Sequence, residues 1–472
     1  MKPIDIALII LYLIATIVIG YRSGRSVKTM EDFSVSDKNF PTTALVATVF
    51  ATWVGGDDLV GEGERIYTVG IIFLVVLLSQ IISLVLHAYF IAPKILKDFS
   101  DKISIGEIMG ELYGDIGRIL TGIATIAVSI GYIAAQISCI GYVCSFIPGV
   151  THFWGTVIGS FVVIMYSAYG GIKAIVSTDI LQFGIAIIAV PVVANIALYN
   201  TGGLEVLIQK LPDYYLSVSP SRSDFWYNFG MILVCAVPYF NPTLTQRILM
   251  AKDARQASQS LVIVGGLFVP FYVATAVIAL CAIIDIPGTD PNMVFLNMLD
   301  KSLPSIVKGF AAVGFLAVVM STADSHINVA SISITRDIAA VMFPMINSKT
   351  QLNIARIFTI LLGISSIFIA TKFYSMIDFF VYFSNFWMPI VAAPMALYMF
   401  GIKTNTRQYV TGCIVGFIAI ILVRSLEIEE LTVTSSLTGM LFTCLTMLGL
   451  YKFSDSNSYL LKLGKQHKNE FF

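Results

Sequence analysis

The chain has 472 residues, of which 57% are hydrophobic and 12% charged, with a formal net charge of zero and a mean hydropathy of +0.84. Soluble domains carry roughly 25% charged residues, so the chain is read as an all-α polytopic membrane protein. The neutral balance gives no footing for a nucleic-acid partner.

About 13 spans of membrane length are expected, near residues 4–21, 43–69, 71–96, 117–147, 151–169, 174–199, 225–250, 258–285, 304–335, 351–371, 375–400, 407–424 and 434–452. The basic cluster Arg22, Arg25 and Lys28 follows the first apolar run rather than preceding it, so that run is read as an uncleaved helix. Lys and Arg concentrate in the loops after odd-numbered spans, as at Lys94, Lys97 and Lys102 or Arg247, Lys252 and Arg255. By the positive-inside rule the N-terminus lies outside and the C-terminus inside. Six cysteines, Cys139, Cys144, Cys235, Cys281, Cys413 and Cys444, sit in or beside apolar runs and read as buried thiols.

The second span, ALVATVFATWVGGDDLVGEGERIYTVG at residues 44–70, is unusual. It begins as an apolar half-helix up to Val54, breaks at Gly55 and Gly56, and carries Asp57, Asp58, Glu62 and Glu64 after the break. Charge and irregular backbone at membrane depth are tolerated only against protein or a water-filled cavity. An interrupted helix with free carbonyls is a way to coordinate a bare cation. Five spans later, the seventh carries Pro238 and Pro242 around Tyr239, Phe240 and Asn241. Two interrupted helices five spans apart and in opposite orientation suggest an inverted repeat of five helices each. The expected layout within one transmembrane unit is a first helix and inside loop at 1–40, repeats at 41–200 and 225–401, C-terminal helices at 405–453 and a short cytoplasmic tail at 454–472.

The ninth span places Val318, Ser321, Thr322 and Ser325 on one helical face. Hydroxyls beside a free carbonyl make a neutral all-oxygen site, suited to a monovalent alkali cation. Packing of the same hydroxyls against the preceding turn is the competing reading. His326 is read as an interhelical histidine. The sequence shows no nucleophile–base pair, phosphate loop or metal cluster, so an enzyme is not expected.

Three stretches carry a family resemblance: YGGIKAIVSTDILQF at 169–183, PTLTQRILMAKDARQAS at 242–258 and LAVVMSTADS at 316–325. They resemble the sodium:solute symporter family, which includes bacterial proline and sugar symporters and the high-affinity choline transporter. The likeness extends over nearly the whole chain. It implies a leucine-transporter-like core of two inverted five-helix repeats. It also implies a sodium site made by the backbone carbonyls of Ala51, Val54 and Val318 and the hydroxyls of Ser321 and Thr322. Asp179 resembles an acidic residue on the inward sodium path, with a loop-capping carboxylate as its alternative. Proline symporters have an aspartate where this chain has Trp53, and the ATWVGG stretch at 51–56 is more similar to the choline transporter.

The solute pocket is expected between the two breaks. Its candidates are Trp53, Gly55, Gly56, Asp57 and Gln136, then Tyr239, Phe240 and Asn241, and Phe383, Phe386 and Trp387 in the eleventh span. Trp53, Trp387 and Tyr239 could cage a quaternary ammonium through cation–π attraction; ordinary packing or interfacial anchoring of these aromatics is the alternative. The expected function is sodium-coupled import of a small polar organic solute, with an organic cation such as choline first. A proline-like amino acid, a proton-coupled transporter and a channel are the alternatives. Sodium is the only coupling ion expected, no cofactor is, and the partners are the solute, sodium and lipid. A monomer in a bacterial inner membrane is expected to suffice.

Overall fold

In hydrocarbon every backbone N–H and C=O must find a partner within the protein, so apolar runs of this length become helices. The computed structural model describes residues 1–36, 38–370 and 384–469, with the side chains of Asp57, Glu429, Glu430 and 453–469 outside that description. Its principal helices are α1 Pro3–Gly24, α2 Thr42–Trp53, α3 Glu62–Val69, α4 Ile72–Asp98, α5 Ile105–Ser145, α6 His152–Thr201, α7 Phe225–Ala236 and α8 Pro242–Leu249. There follow α9 Ala254–Asp285, α10 Val307–Met342, α11 Ser348–Ala370, α12 Ala393–Met399, α13 Thr406–Arg424 and α14 Ser435–Asn469.

Among the described residues, eight helices are long and apolar enough to cross a membrane, and nine if α2 and α3 count as one bent span. Two expected boundaries differ. The expected fourth span, 117–147, belongs to a helix that begins at Ile105 and is interrupted at Gly114. The expected fifth and sixth spans run on as α6, whose 50 residues at 1.5 Å each would reach roughly 75 Å, well over twice a hydrocarbon core. Gly171 divides it, with φ 49° and ψ −142°. A Cβ there would lie 2.4 Å from the ring of Phe33 and 2.7 Å from its carbonyl, so only glycine fits this turn.

The two expected breaks are both present. α2 ends at Trp53, Val54 is extended, and a π-turn at Asp57–Gly61 leads into α3 at an angle of 59°. The N–H groups released by unwinding are taken up locally. Asp58 Oδ2 accepts the Gly55 N–H at 2.6 Å, and Gln136 Oε1 accepts the Gly56 N–H at 2.6 Å. In the seventh span α7 stops at Ala236, Val237 is extended, Phe240 has φ +51°, and Asn241 caps α8 through the Thr243 N–H at 2.9 Å. Pro242 at the first helical position has no N–H to leave unpaired.

α10 is the centre of the packing and is buried along nearly all of its apolar length. It lies against α1, α2, α5, α6 and α11. Its first turn is capped from another helix: Asp5 of α1 accepts the backbone N–H of Ile306 at 2.8 Å and of Gly309 at 3.2 Å. Asp5 is therefore buried with a defined partner set rather than as a stray charge. On the outside of the bundle Leu11, Phe90, Ile123 and Phe161 are exposed, as lipid-facing side chains should be.

Candidate functional site

Where α2 ends, its last carbonyls point at α10. Ser321 Oγ lies 2.7 Å from the Ala51 carbonyl and 2.9 Å from that of Val318. Thr322 Oγ1 lies 2.9 Å from the Val54 carbonyl, 3.4 Å from those of Ala51, Thr52 and Val318. The five oxygens named from the sequence thus meet at one point, and both side chains are buried. Each hydroxyl donates to the carbonyls and keeps its own lone pairs, so a small cation placed among them would meet five neutral oxygens. That donor set fits a monovalent ion, since divalent ions are held by carboxylates or by nitrogen and sulfur ligands. Among the described residues no group of three or more His, Cys, Asp or Glu could hold a metal.

One turn further along both helices lies a buried charged network. Thr48 Oγ1 donates to Asp179 Oδ2 at 2.5 Å, and Arg247 approaches the same oxygen at 3.7 Å. Arg247 also donates to Ser325 Oγ at 2.6 Å and to Gln246 Oε1 at 2.7 Å. Ser325 in turn contacts Thr52 Oγ1 at 2.9 Å and Asp324 Oδ1 at 3.3 Å, and Tyr166 donates to Asp324 Oδ2 at 2.5 Å. Asp179 therefore stands next to the oxygen corner, tied to α2, α8 and α10 through its partners, not at a loop. Breaking such a buried pair by removing one partner is strongly destabilising. Asp324 was not singled out in the sequence, and Arg247, expected among the charges of an inside loop, is instead buried within α8. The signal was present, because an arginine within an otherwise membrane-embedded segment points to a functional site by default.

The oxygen corner opens on a cavity of about 130 Å³ between the two breaks. Trp53, Tyr239 and Asn241 line it as expected. So do Thr52, Asp58, Glu62, Phe73, Gln80, Tyr132, His326 and Thr322 itself. His326 is more than an interhelical packing residue: it stacks on Tyr132 at 4.3 Å and contributes to the cavity wall. No lysine or arginine is among the described lining residues. Asp58 is held by the Gly55 N–H and by the Tyr272 hydroxyl at 3.3 Å. Gln80 accepts the Trp53 indole N–H at 2.7 Å and reaches Glu62 Oε1 at 3.5 Å.

Several expected lining residues do other work. Gly56 packs on α5, where a Cβ would come within 2.8 Å of Cys139 Sγ and 2.9 Å of Gln136 Oε1. Gln136 is fully buried and holds that backbone, and Gly55 contributes an N–H to Asp58; neither lines the cavity. Phe240 is buried against His87 at 5.7 Å. Trp387 is fully buried behind Tyr239, giving its indole N–H to the Tyr239 carbonyl at 2.6 Å. Phe386 is 38% exposed and packs on Phe417. Trp53 and Tyr239 line the cavity but Trp387 does not, so the three rings do not together form a cage around it. The Asp57 side chain and Phe383 lie outside the described residues.

Residues 33–416 match the profile of the sodium:solute symporter family. The high-affinity choline transporter 1 of Drosophila melanogaster is 22% identical over 88% of this chain and 69% of its own length. Sodium/proline symporter 2 of Staphylococcus saprophyticus is 22% identical over 92% of this chain and 88% of its own. Among solved structures, a Na+-coupled sialic acid symporter in a substrate-bound outward-open state superposes with a TM-score of 0.83 at 18% identity, over 94% of this chain and 98% of that one. Mhp1, a nucleobase-cation-symport-1 family transporter, superposes with a TM-score of 0.57 at 10% identity, over 91% of this chain and 96% of that one.

Proposed function

Because the chain belongs to the sodium:solute symporter family, and is a multi-pass sodium-coupled transporter on that ground, we propose that its solute is a small organic cation. One observation carries this reading. Asp58 is 4% exposed, lines the cavity beside the oxygen corner, and no cationic side chain is among the described lining residues. An anion would meet a fixed carboxylate in a low-dielectric space. Aromatic faces at Trp53, Tyr132 and Tyr239 add to the attraction for a cation.

In the proposed cycle sodium enters the corner formed by Ala51, Val54, Val318, Ser321 and Thr322. This binding holds the end of α2 against α10 and so fixes the wall on which Trp53 and Asp58 stand. Solute then binds a preorganised cavity, and the order of binding gives coupling. Sodium shifts the equilibrium only by its different affinity for the two conformations. Asp179, with Arg247 beside it, offers the next oxygen along the route inward. Spans 2–6 and 7–11 would act as the two repeats.

The test is uptake into proteoliposomes under an inward sodium gradient against an equal potassium gradient. The panel holds choline, simple alkylammonium ions, proline and a sialic acid. Accumulation of cations, only with sodium, and its loss in Asp58→Asn are expected. Preference for proline or the carboxylate over every cation would overturn the reading.

A further inference from the structure

Asp58 and Glu62 are four residues apart across the π-turn Asp57–Gly61 and the start of α3. Four residues are close to one turn in either helix type, so the two carboxyl groups stand on one face. Both are buried, at 4% and 6% exposure, and both line the cavity. Between them lies Gln80, whose amide reaches Glu62 while the Tyr272 hydroxyl lies 3.3 Å from Asp58 Oδ1 and 3.5 Å from Gln80 Oε1. Val76, Leu77, Met231 and Val234 add an apolar part to the cavity wall. The aromatic side, by contrast, is thinner than the sequence suggests, because Trp387 is buried and does not line the cavity.

This arrangement discriminates among organic cations. A quaternary ammonium has no N–H, so it cannot hydrogen-bond a carboxylate and relies on aromatic faces. An ammonium with N–H groups forms charge-assisted hydrogen bonds, which are about twice as strong as neutral ones. Residues one helical turn apart have Cβ atoms ~5–6 Å from each other. That is about the separation of two ammonium groups joined by a three- or four-carbon chain, and the apolar part of the wall suits the methylenes between them. Resting on the reading of the cavity as an organic-cation site, we propose that the solute is a small aliphatic diamine held at two points, one ammonium at Asp58 and the other at Glu62.

The experiment measures equilibrium binding to the purified full-length protein in sodium buffer by calorimetry. The probes are 1,4-diaminobutane, 1-aminobutane, choline and proline. The diamine is expected to bind about tenfold or more tighter than 1-aminobutane, the gain of one charge-assisted hydrogen bond. Glu62→Gln should remove that advantage, weakening the diamine about tenfold more than 1-aminobutane. Glu62→Asp, which keeps the charge on a shorter arm, should shift the optimum to 1,5-diaminopentane. The wild-type ratio of diamine to monoamine tests the proposal even if a variant does not fold. Choline or 1-aminobutane binding as tightly as the diamine would overturn the two-point site while leaving the organic-cation reading intact. So would a Glu62→Gln protein that weakens every cation alike. Binding of proline with no binding of any of the three cations would overturn both.

Discussion

At the first break, glycines remove side chains, and the freed N–H groups of Gly55 and Gly56 are taken by Asp58 and Gln136. At the second, prolines remove donors instead, and the Tyr239 carbonyl is taken by the Trp387 indole. The difference decides what each break can offer. The first satisfies its donors and leaves the carbonyls of Ala51 and Val54 facing the α10 hydroxyls, where the proposed ion would sit. The second has spent the Tyr239 carbonyl, so it presents side chains, Tyr239 and Asn241, to the cavity. On the proposed function, unwinding a helix in a membrane gives a cation site or a solute wall according to which half of the backbone is left over.

The comparison is broken most severely at the oxygen corner. Ser321→Ala combined with Thr322→Ala is expected to lower apparent sodium affinity by about a hundredfold or more, since two of five ligands go, at roughly 1.5–3 kcal/mol each. Uptake against sodium concentration measures it, and a retained melting transition shows that the fold is intact. Next comes Gly56→Ala. Its methyl group would press on Cys139 and Gln136, and such overpacking costs about 1–3 kcal/mol. A lower Tm with impaired sodium binding is expected, and partial recovery in Gly56→Ala with Cys139→Ala.

Trp387→Phe probes the other break. It keeps the ring but strips the donor from the Tyr239 carbonyl, at about 1 kcal/mol. KM for the solute should rise about fivefold while sodium affinity stays unchanged. A change in sodium affinity instead would mean that the two breaks are not separate devices.

The smallest effect is expected at the shared foundation. The short helix Met30–Ser34 gives the Ser34 carbonyl to Gln246 of α8 at 2.6 Å and the Phe33 carbonyl to Asn328 of α10 at 3.4 Å. Its Asp32 is paired with Lys173 at 2.9 Å. Burial opposes the Asp32 charge, but Lys173 and the N–H groups of Lys28 and Thr29 outweigh it and hold the carboxyl at about 2. Its contribution is therefore present above the unfolded pKa of about 3.9 and lost as pH falls toward 2. Asp32→Asn should cost about 1 kcal/mol at neutral pH. The Tm difference from wild type should close as pH falls from 4 to 2, with both KM values unmoved.

The oxygen corner was legible in the sequence because both of its halves are local patterns: a Gly–Gly interruption, and two adjacent hydroxyls with a partner one turn away. The seventh-span break was legible for the same reason. The cavity wall was not. Its residues come from α2, the π-turn, α3, α4, α5, α7, the second break, α8 and α10, and no spacing rule links Gln80 or Tyr132 to Glu62. Trp53 and Trp387 look alike as letters, yet one faces the cavity and the other serves a carbonyl behind it. Arg247 was counted with Lys252 and Arg255 as a charge of an inside loop, because a basic residue at the end of an apolar run reads as a boundary, whereas it is buried in α8 against Asp179.

The cap that Asp5 places on α10 has a practical consequence for anyone handling this protein. A fluorescent or affinity fusion ahead of Lys2 would sit within a few residues of the group that fixes the first turn of α10. Such a tag could alter apparent transport without touching any binding residue. Reporters for binding studies are better attached in an outside loop away from α1, and an N-terminal tag should be cleaved before any affinity is compared.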